Sequence, residues 1–178
     1  MSDRRLIIRA ATCADIAPLH ALIEGAYRGE SARAGWTHEA DLLDGQRTDP
    51  DALAAIIADA GQRILLALDG DRIMGCVQIA RGGGGTAYLG MLSVDPSLQA
   101  GGLGRRLIEV AEETAAEAFG ARAIEMTVIR QRLELIAYYE RRGYALTGEQ
   151  RPFPLDNPRF GLPRTRELAF VVLAKSLR

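Results

Sequence analysis

The chain has 178 residues, 48% hydrophobic and 25% charged, a composition typical of a soluble globular protein with enough chain for one sizeable core. Its 22 lysine and arginine residues nearly balance 23 aspartate and glutamate residues, which argues against a nucleic-acid-binding or anionic-membrane-binding surface. No apolar stretch near the start is long enough for a signal peptide or a membrane span, so we expect a cytoplasmic protein whose partners are small molecules.

The first third of the chain predicts a strand, a helix, an irregular wall and a second helix. Residues 5–9 predict a short strand. Thr12 and Asp15 have the spacing of a capping pair and precede a segment with helical periodicity. Residues 27–48 are glycine-rich, charged and poorly periodic, which predicts a lid or wall, and Asp49 followed by proline starts the next helix.

The rest of the chain predicts a mixed α/β sheet with helices on its faces. Residues 63–68 and 72–80 flank an Asp-Gly turn and predict an antiparallel hairpin. The segment 151–164 contains four prolines and predicts an irregular loop. The remaining elements are predicted as a strand at 86–94, a helix at 103–119, a strand at 121–129, a helix at 132–142 and a closing strand at 167–173.

A glycine-rich turn between the strand at 86–94 and the next helix is the strongest local signal. Glycine lets the backbone approach a phosphate, and the first helical turn presents unpaired N–H groups and the positive end of its dipole. The turn lacks the Gly-Lys-Ser/Thr of a nucleoside triphosphatase, and Leu107 stands where a dinucleotide fold needs glycine. A turn that merely caps a helix needs one glycine, whereas this one has three, so we predict a main-chain phosphate site.

The pattern Gln99-x-x-Gly102-x-Gly104 after a strand resembles the CoA-binding motif of the GNAT acetyltransferase superfamily. The resemblance implies one domain over residues 1–178, with a mixed, mostly antiparallel central sheet of about six to seven strands flanked by helices on both faces. It also implies that acetyl-CoA is the cosubstrate and that Arg105 either adds charge near its phosphates or is solvated. The main chain implied to bind the pyrophosphate is that of Gln99, Ala100, Gly101, Gly102, Leu103 and Gly104.

The strand before the turn is the implied site of the thioester. By resemblance, the N–H of Leu92 stabilises the oxyanion formed on the acetyl carbonyl, and the main chain of Val94 pairs with the pantetheine amides. Some family members carry a glutamate base on this strand where this chain has Tyr88. Free tyrosine has a pKa of about 10 and is a poor base at neutral pH. The acceptor ammonium must then lose its proton to water or to another carboxylate, unless the amine is already neutral.

A second run, in which Tyr139 is followed by Glu-x-x-Gly-Tyr, resembles the signature that ends a helix in the same superfamily. The resemblance implies that Tyr139 is the general acid that protonates the departing thiolate. Without the glycine turn, Tyr138 and Tyr139 would be interpreted as aromatic residues that pack the helix against the sheet. Tyr138 is the alternative candidate for the general acid. Arg132 stands where the family often has an asparagine.

The acceptor side is implied to lie at the irregular segments 27–44 and 152–163. Acidic residues there, Glu30 and Glu39 with Asp41 and Asp44, are candidates to attract a cationic amine, although charged loop residues are most often solvated. Apolar walls are predicted from Trp36 and Phe153, with Tyr88 nearby. The acceptor itself is not identified by these residues.

The resemblance thus implies direct transfer of an acetyl group from acetyl-CoA to a primary amine of a small molecule or peptide, without a metal. A homodimer is compatible with the sequence. A second hypothesis is an inactive CoA-binding sensor of the same fold, because the strand glutamate is absent. A hydrolase is disfavoured because the chain has no G-x-S-x-G motif. Cys13 and Cys76 have no metal-site spacing and are expected to be small core side chains.

Overall fold

The computed structural model describes residues 6–178, so the first residue of the predicted strand at 5–9 lies outside them. The helices are α1 (Ile16–Tyr27), α2 (Gly29–Arg33), α3 (Pro50–Ala58), α4 (Leu103–Phe119) and α5 (Leu133–Glu140). The strands are β1 (Ile7–Ala10), β2 (Leu43–Asp44), β3 (Gln62–Asp69), β4 (Arg72–Arg81), β5 (Thr86–Val94), β6 (Ala123–Ile129), β7 (Ala145–Pro152), β8 (Leu162–Pro163) and β9 (Ala169–Ser176).

Seven strands form the central sheet in the order β1-β3-β4-β5-β6-β9-β7. Only β5 and β6 are parallel among these neighbours, and the other pairs are antiparallel. The parallel pair needs a crossover, which α4 provides. The mixed, mostly antiparallel sheet of six to seven strands is therefore confirmed.

Strand β3 shows why helices cover both faces of the sheet. Ile64, Leu66 and Leu68 point to one side and pack with α1 and α3, whereas Leu65 and Ala67 point to the other side, where α4 and α5 pack. All five side chains are at most 5% exposed. A strand buried on both faces reads as a continuous apolar run, as this segment does.

Several details differ from the prediction, and the short elements α2, β2 and β8 lie in segments that were predicted to be irregular. Strand β7 lies where no strand was predicted, and it ends within the segment 151–164 that was predicted as a loop. Its side chains are almost all exposed and it pairs only with β9, so it is an edge strand without alternating burial. Cys76 is buried as expected, but Cys13 is exposed in the turn before α1, so the prediction of two core cysteines is wrong for Cys13.

The two irregular segments of the chain are tied to each other by the small sheet of β2 and β8. Leu43 on β2 packs with Ile129, Phe153 and Leu168 in a separate apolar cluster. The segment between α1 and α3 is thereby fixed beside the end of β6. Across residues 6–178, no helix has both the length and the apolar character needed to cross a membrane.

Candidate active site

The central feature of the site is the gap that opens between β5 and β6. Their parallel pairing covers only Thr86–Tyr88 against Ala123–Glu125, so the strands separate beyond Tyr88. Met91 and Leu92 lie where the register of β5 against β4 shifts, and Met91 has a φ of 47°. A non-glycine residue in this left-handed region marks a bulge that bends the strand and turns its backbone groups away from the sheet.

The bulge is held by side chains on both sides. The Met91 carbonyl accepts from Ser93 Oγ at 3.0 Å and from Cys76 Sγ at 3.6 Å. The Tyr27 hydroxyl, at the end of α1, donates to the Leu92 carbonyl at 2.8 Å. Burial raises the pKa of Tyr27 to about 12, so this hydroxyl stays protonated and able to donate. Tyr27 therefore fixes the position of Leu92, a role that its sequence context did not reveal.

Two cavities meet at this bulge. The first, which we call the loop cavity, lies at the N-terminus of α4. It is lined by most of the residues predicted for the cofactor, namely Leu92, Val94, Gln99, Ala100, Gly102, Leu103, Gly104 and Arg105. Gly101 belongs to the same turn but is not among its lining residues.

The turn before α4 presents free main-chain donors. Ala100 and Gly102 both have positive φ, at 71° and 81°, which reverses the chain sharply before the helix begins. The Arg106 N–H donates to the Gly102 carbonyl at 3.1 Å, but the described structure has no protein acceptor for the N–H groups of residues 102–105. Four unpaired amides at a helix N-terminus form an anion-binding site.

Gln99 connects this turn to the wall segment. Its Oε1 accepts from the Trp36 N–H at 2.9 Å, and its Nε2 donates to the Val94 carbonyl at 3.3 Å. A Cβ on Gly35 would collide with the Gln99 carboxamide, so the wall approaches the turn closely. The side chain of Gln99 thus holds the wall segment, the end of β5 and the glycine turn together at the loop cavity.

An aromatic group covers the turn. The rings of Trp36 and Tyr138 lie 5.1 Å apart, and the Arg142 guanidinium lies 3.3 Å from the Tyr138 ring centroid. The Tyr138 hydroxyl would be 2.8 Å from a Cβ added to Gly104, so only glycine fits there without a shift of that side chain. Arg105, at the cavity lining, pairs with Glu109 at 2.9 Å.

Tyr139 lies where the two cavities meet and is 5% exposed. Its hydroxyl makes no hydrogen bond to the residues that the structure describes. Burial raises the pKa of Tyr139 well above its usual value. The result is a protonated hydroxyl, without a partner in residues 6–178, between the two cavities.

The second cavity, which we call the arginine cavity, shares Tyr27, Leu92, Arg132, Leu135 and Tyr139 with the first. Its apolar wall includes Phe153 and Phe170, whose ring centroids are 5.2 Å apart. On β5, the hydroxyl of Tyr88 is hydrogen-bonded to Thr127 Oγ1 at 2.9 Å.

The arginine cavity takes its name from three guanidinium groups. Arg28 and Arg132, both about 95% buried, donate to the two oxygens of the Glu39 carboxylate, Arg132 at 3.2 Å. Arg28 also donates to the Phe160 carbonyl at 3.1 Å. Arg47 contributes the third guanidinium and lies over the Tyr27 ring, 5.0 Å from its centroid.

The residues predicted for the acceptor fall into different places. Glu39, Tyr88 and Phe153 line the arginine cavity, whereas Trp36 lines the loop cavity. Glu30 has a side chain that is 94% exposed, pairs with Arg33 at 3.3 Å and lines neither cavity. Asp41 and Asp44 are exposed and form ion pairs with arginines. The acidic residues therefore do not converge into one negatively charged pocket.

Several solved structures similar to this one carry the name acetyltransferase. The Salmonella typhimurium protein yncA, assigned as an acetyltransferase and solved with its cofactor acetyl-CoA, matches with a TM-score of 0.70 and 20% identity, over 98% of this chain and 95% of that one. The ribosomal-protein-S18-alanine N-acetyltransferase of Escherichia coli matches with a TM-score of 0.70 and 14% identity, over 97% and 94%. Nourseothricin acetyltransferase matches with a TM-score of 0.68 and 18% identity, over 97% and 99%. At these identities the likeness concerns the fold.

The sequence comparisons give the family. No curated protein sequence matches this chain. The model of the acetyltransferase (GNAT) family matches residues 26–144, which include the wall segment, the glycine turn and the helix that carries Tyr139. That match covers two thirds of the chain, and it agrees with the fold. The chain belongs to the GNAT acetyltransferase family.

Proposed function

We propose that the chain acts as a single-domain N-acetyltransferase that moves an acetyl group from acetyl-CoA to a primary amine by direct attack. One observation carries the proposal: a cavity lined by unpaired main-chain amides meets a second cavity at Leu92 and Tyr139. A donor and an acceptor bound in separate cavities would therefore react where these two residues lie.

The loop cavity fits the diphosphate and pantetheine of acetyl-CoA, which supplies the thioester. The N–H groups of residues 102–105 lack protein acceptors in the described chain, and Gly104 leaves room for a phosphate to approach the backbone. The separated edge of β5 at Leu92 and Val94 offers main-chain groups to the pantetheine amides. In this proposal Arg105 is a screened charge at the cavity, because Glu109 already pairs with it.

Leu92 and Tyr139 are the proposed catalytic residues. As the amine attacks, the N–H of Leu92 would donate to the oxyanion on the acetyl carbon, a contribution of about 3 kcal/mol for one such donor. Tyr27 holds Leu92 in place through its hydroxyl. The Tyr139 hydroxyl would then pass its proton to the departing sulfur, so that CoA leaves as a thiol.

The acceptor ammonium must lose a proton before it attacks. Tyr88 stands where other members have a glutamate, and its hydroxyl is bonded to Thr127. Among the described residues that line the arginine cavity, Arg28 and Arg132 pair with carboxylates and Arg47 does not, and the positive charge of Arg47 lowers the pKa of an ammonium that enters the cavity. We therefore propose that the amine loses its proton to water and that the cavity stabilises the neutral form.

Acetyl-CoA-dependent thiol release over a panel of amines, amino acids and peptides tests the proposal. An acetyltransferase releases CoA thiol in amounts that match the acetylated amine, and acetyl-CoA raises Tm with concentration while ATP and NAD do not. A sensor of the same fold would show the Tm increase without turnover on any acceptor. Equal Tm shifts from all three nucleotides would remove the cofactor assignment as well.

A further inference from the structure

The charge balance of the arginine cavity bears on the acceptor. Among the residues that the structure describes, Arg28, Arg47 and Arg132 line this cavity together with one carboxylate, that of Glu39, and the Glu134 carboxylate lies 3.7 Å from Arg132 Nε. Glu24 lies outside the lining, and its carboxylate accepts main-chain N–H groups of the segment before α3. Arg28 and Arg132 are therefore offset by Glu39 and Glu134, whereas Arg47 has no described carboxylate partner, and its charge favours an anionic group in the ligand and disfavours a purely cationic one.

Two of the three arginines are engaged in holding the wall. Arg28 bonds Glu39 and the Phe160 carbonyl, and Arg132 bonds Glu39 and, at 2.6 Å, Thr37 Oγ1. Their contacts join four distant parts of the chain around the cavity. The Nε atoms of both arginines lack a hydrogen-bond acceptor in the described structure, but Arg132 Nε lies 3.7 Å from the Glu134 carboxylate, so Glu39 and Glu134 offset these two charges.

Arg47 differs from both. It is partly buried at the cavity lining, stacked on Tyr27, and among residues 6–178 no carboxylate lies within 4.0 Å of its guanidinium. The guanidinium also donates no hydrogen bond to the described residues. A planar fork of donors without a partner, at the lining of a cavity, is suited to bind a carboxylate with two parallel hydrogen bonds.

Arg47 is also close to the proposed reaction centre. The Arg47 guanidinium carbon lies 5.0 Å from the centroid of the Tyr27 ring, and the Tyr27 hydroxyl donates to the Leu92 carbonyl at 2.8 Å. Roughly one tyrosine side chain therefore separates the free guanidinium from the residue at the acetyl carbon. This spacing suits a ligand in which few bonds separate the anion from the amine. The aromatic wall at Phe153 and Phe170 suits an apolar substituent on that ligand.

We propose that the acceptor is an amino acid with a free carboxylate and an apolar side chain, and that Arg47 binds that carboxylate. This proposal rests on the acetyltransferase function proposed above. The amine is then directed toward Leu92 and Tyr139, and the side chain lies against the phenylalanine rings. Amines without an anion, such as polyamines, are poor substrates because the Arg47 guanidinium repels them.

The test compares matched acceptors and matched arginine variants. Phenylalanine and phenylalaninamide share the amine and the ring and differ in the carboxylate. We expect the wild type to acetylate phenylalanine with the higher kcat/KM.

Arg47→Gln should lower kcat/KM for phenylalanine by about tenfold to a hundredfold, as expected for loss of a charge-assisted pair, and should change kcat/KM for phenylalaninamide by less than about threefold. Arg47→Lys should retain part of the preference. Arg63→Gln is the control, because Arg63 stacks on Phe119 outside both cavities.

A binding measurement keeps the test independent of turnover. With CoA present, N-acetylphenylalanine should raise the Tm of the wild type more than N-acetylphenylalaninamide, and Arg47→Gln should abolish the difference. Equal effects of acid and amide in the wild type, in turnover or in binding, would overturn the carboxylate assignment. Efficient acetylation of other amines but neither phenylalanine compound would overturn it while leaving the acetyltransferase proposal intact. Absence of turnover on every amine would overturn the acetyltransferase proposal, and the binding difference would still decide the role of Arg47.

Discussion

The Arg28–Glu39–Arg132 cluster gives a prediction whose size follows from its burial. In Glu39→Gln, one carboxylate oxygen is replaced by an NH2 group, so one of the two guanidinium groups faces a donor instead of an acceptor. All three side chains are at most 10% exposed, so bulk water has little access to the cluster. Removing one partner of a buried ion pair costs about 3–5 kcal/mol of unfolding free energy.

For a chain of this length each kcal/mol corresponds to about 2–4 °C, so Glu39→Gln should lower Tm by about 6–20 °C. Calorimetry or urea unfolding at neutral pH measures it. The matched control is Glu30→Gln, which removes a carboxylate whose side chain is 94% exposed and should leave Tm within error of the wild type. If both variants unfold at the same temperature, Glu39 does not hold the wall as described.

Two further predictions concern the cofactor and the acid. Gly104→Ala should raise the Kd for acetyl-CoA at least about tenfold, because its Cβ would obstruct a phosphate and meet the Tyr138 hydroxyl at 2.8 Å. Calorimetric titration measures this Kd, and the control is Gly83→Ala, whose Cβ would meet no atom within 4 Å. Equal Kd values in the two variants would contradict the assignment of the turn to acetyl-CoA. The proposed acid, Tyr139, works in its protonated form, and burial raises its pKa. The value of kcat should therefore show no alkaline decline up to about pH 10. A decline in kcat centred near pH 8 would contradict the role of Tyr139 as the acid.

The sequence predicts the fold well where burial is periodic and poorly where it is not. The central strands and α4 carry apolar residues at the spacing that their packing requires, so their bounds are close to the prediction. Strand β7 has almost no buried side chain, contains Gly148 with a φ of 85° and ends at Pro152. Its pairing depends on contact with β9, which no local pattern encodes.

The glycine turn and Tyr139 could be found from sequence because each lies in a short, continuous motif. The arginine cavity could not be predicted in this way. Arg28, Glu39 and Arg132 are separated by up to about a hundred residues in sequence, and charged side chains in loops are most often solvated. Acidic residues are therefore predicted on the acceptor side from sequence, whereas the folded chain brings Arg28, Arg47 and Arg132 together there.

The central claim, that the Tyr139 hydroxyl at the junction of the two cavities protonates the departing thiolate, is tested most directly by Tyr139→Phe. Single-turnover kinetics with acetyl-CoA and a working amine, measured beside the acetyl-CoA Kd, should show chemistry slower by about a hundredfold or more with an unchanged Kd. Tyr138→Phe, which removes the neighbouring hydroxyl near Gly104, should retain most of the rate. A Tyr139→Phe rate within about threefold of the wild type, or a large loss confined to Tyr138→Phe, would contradict the account.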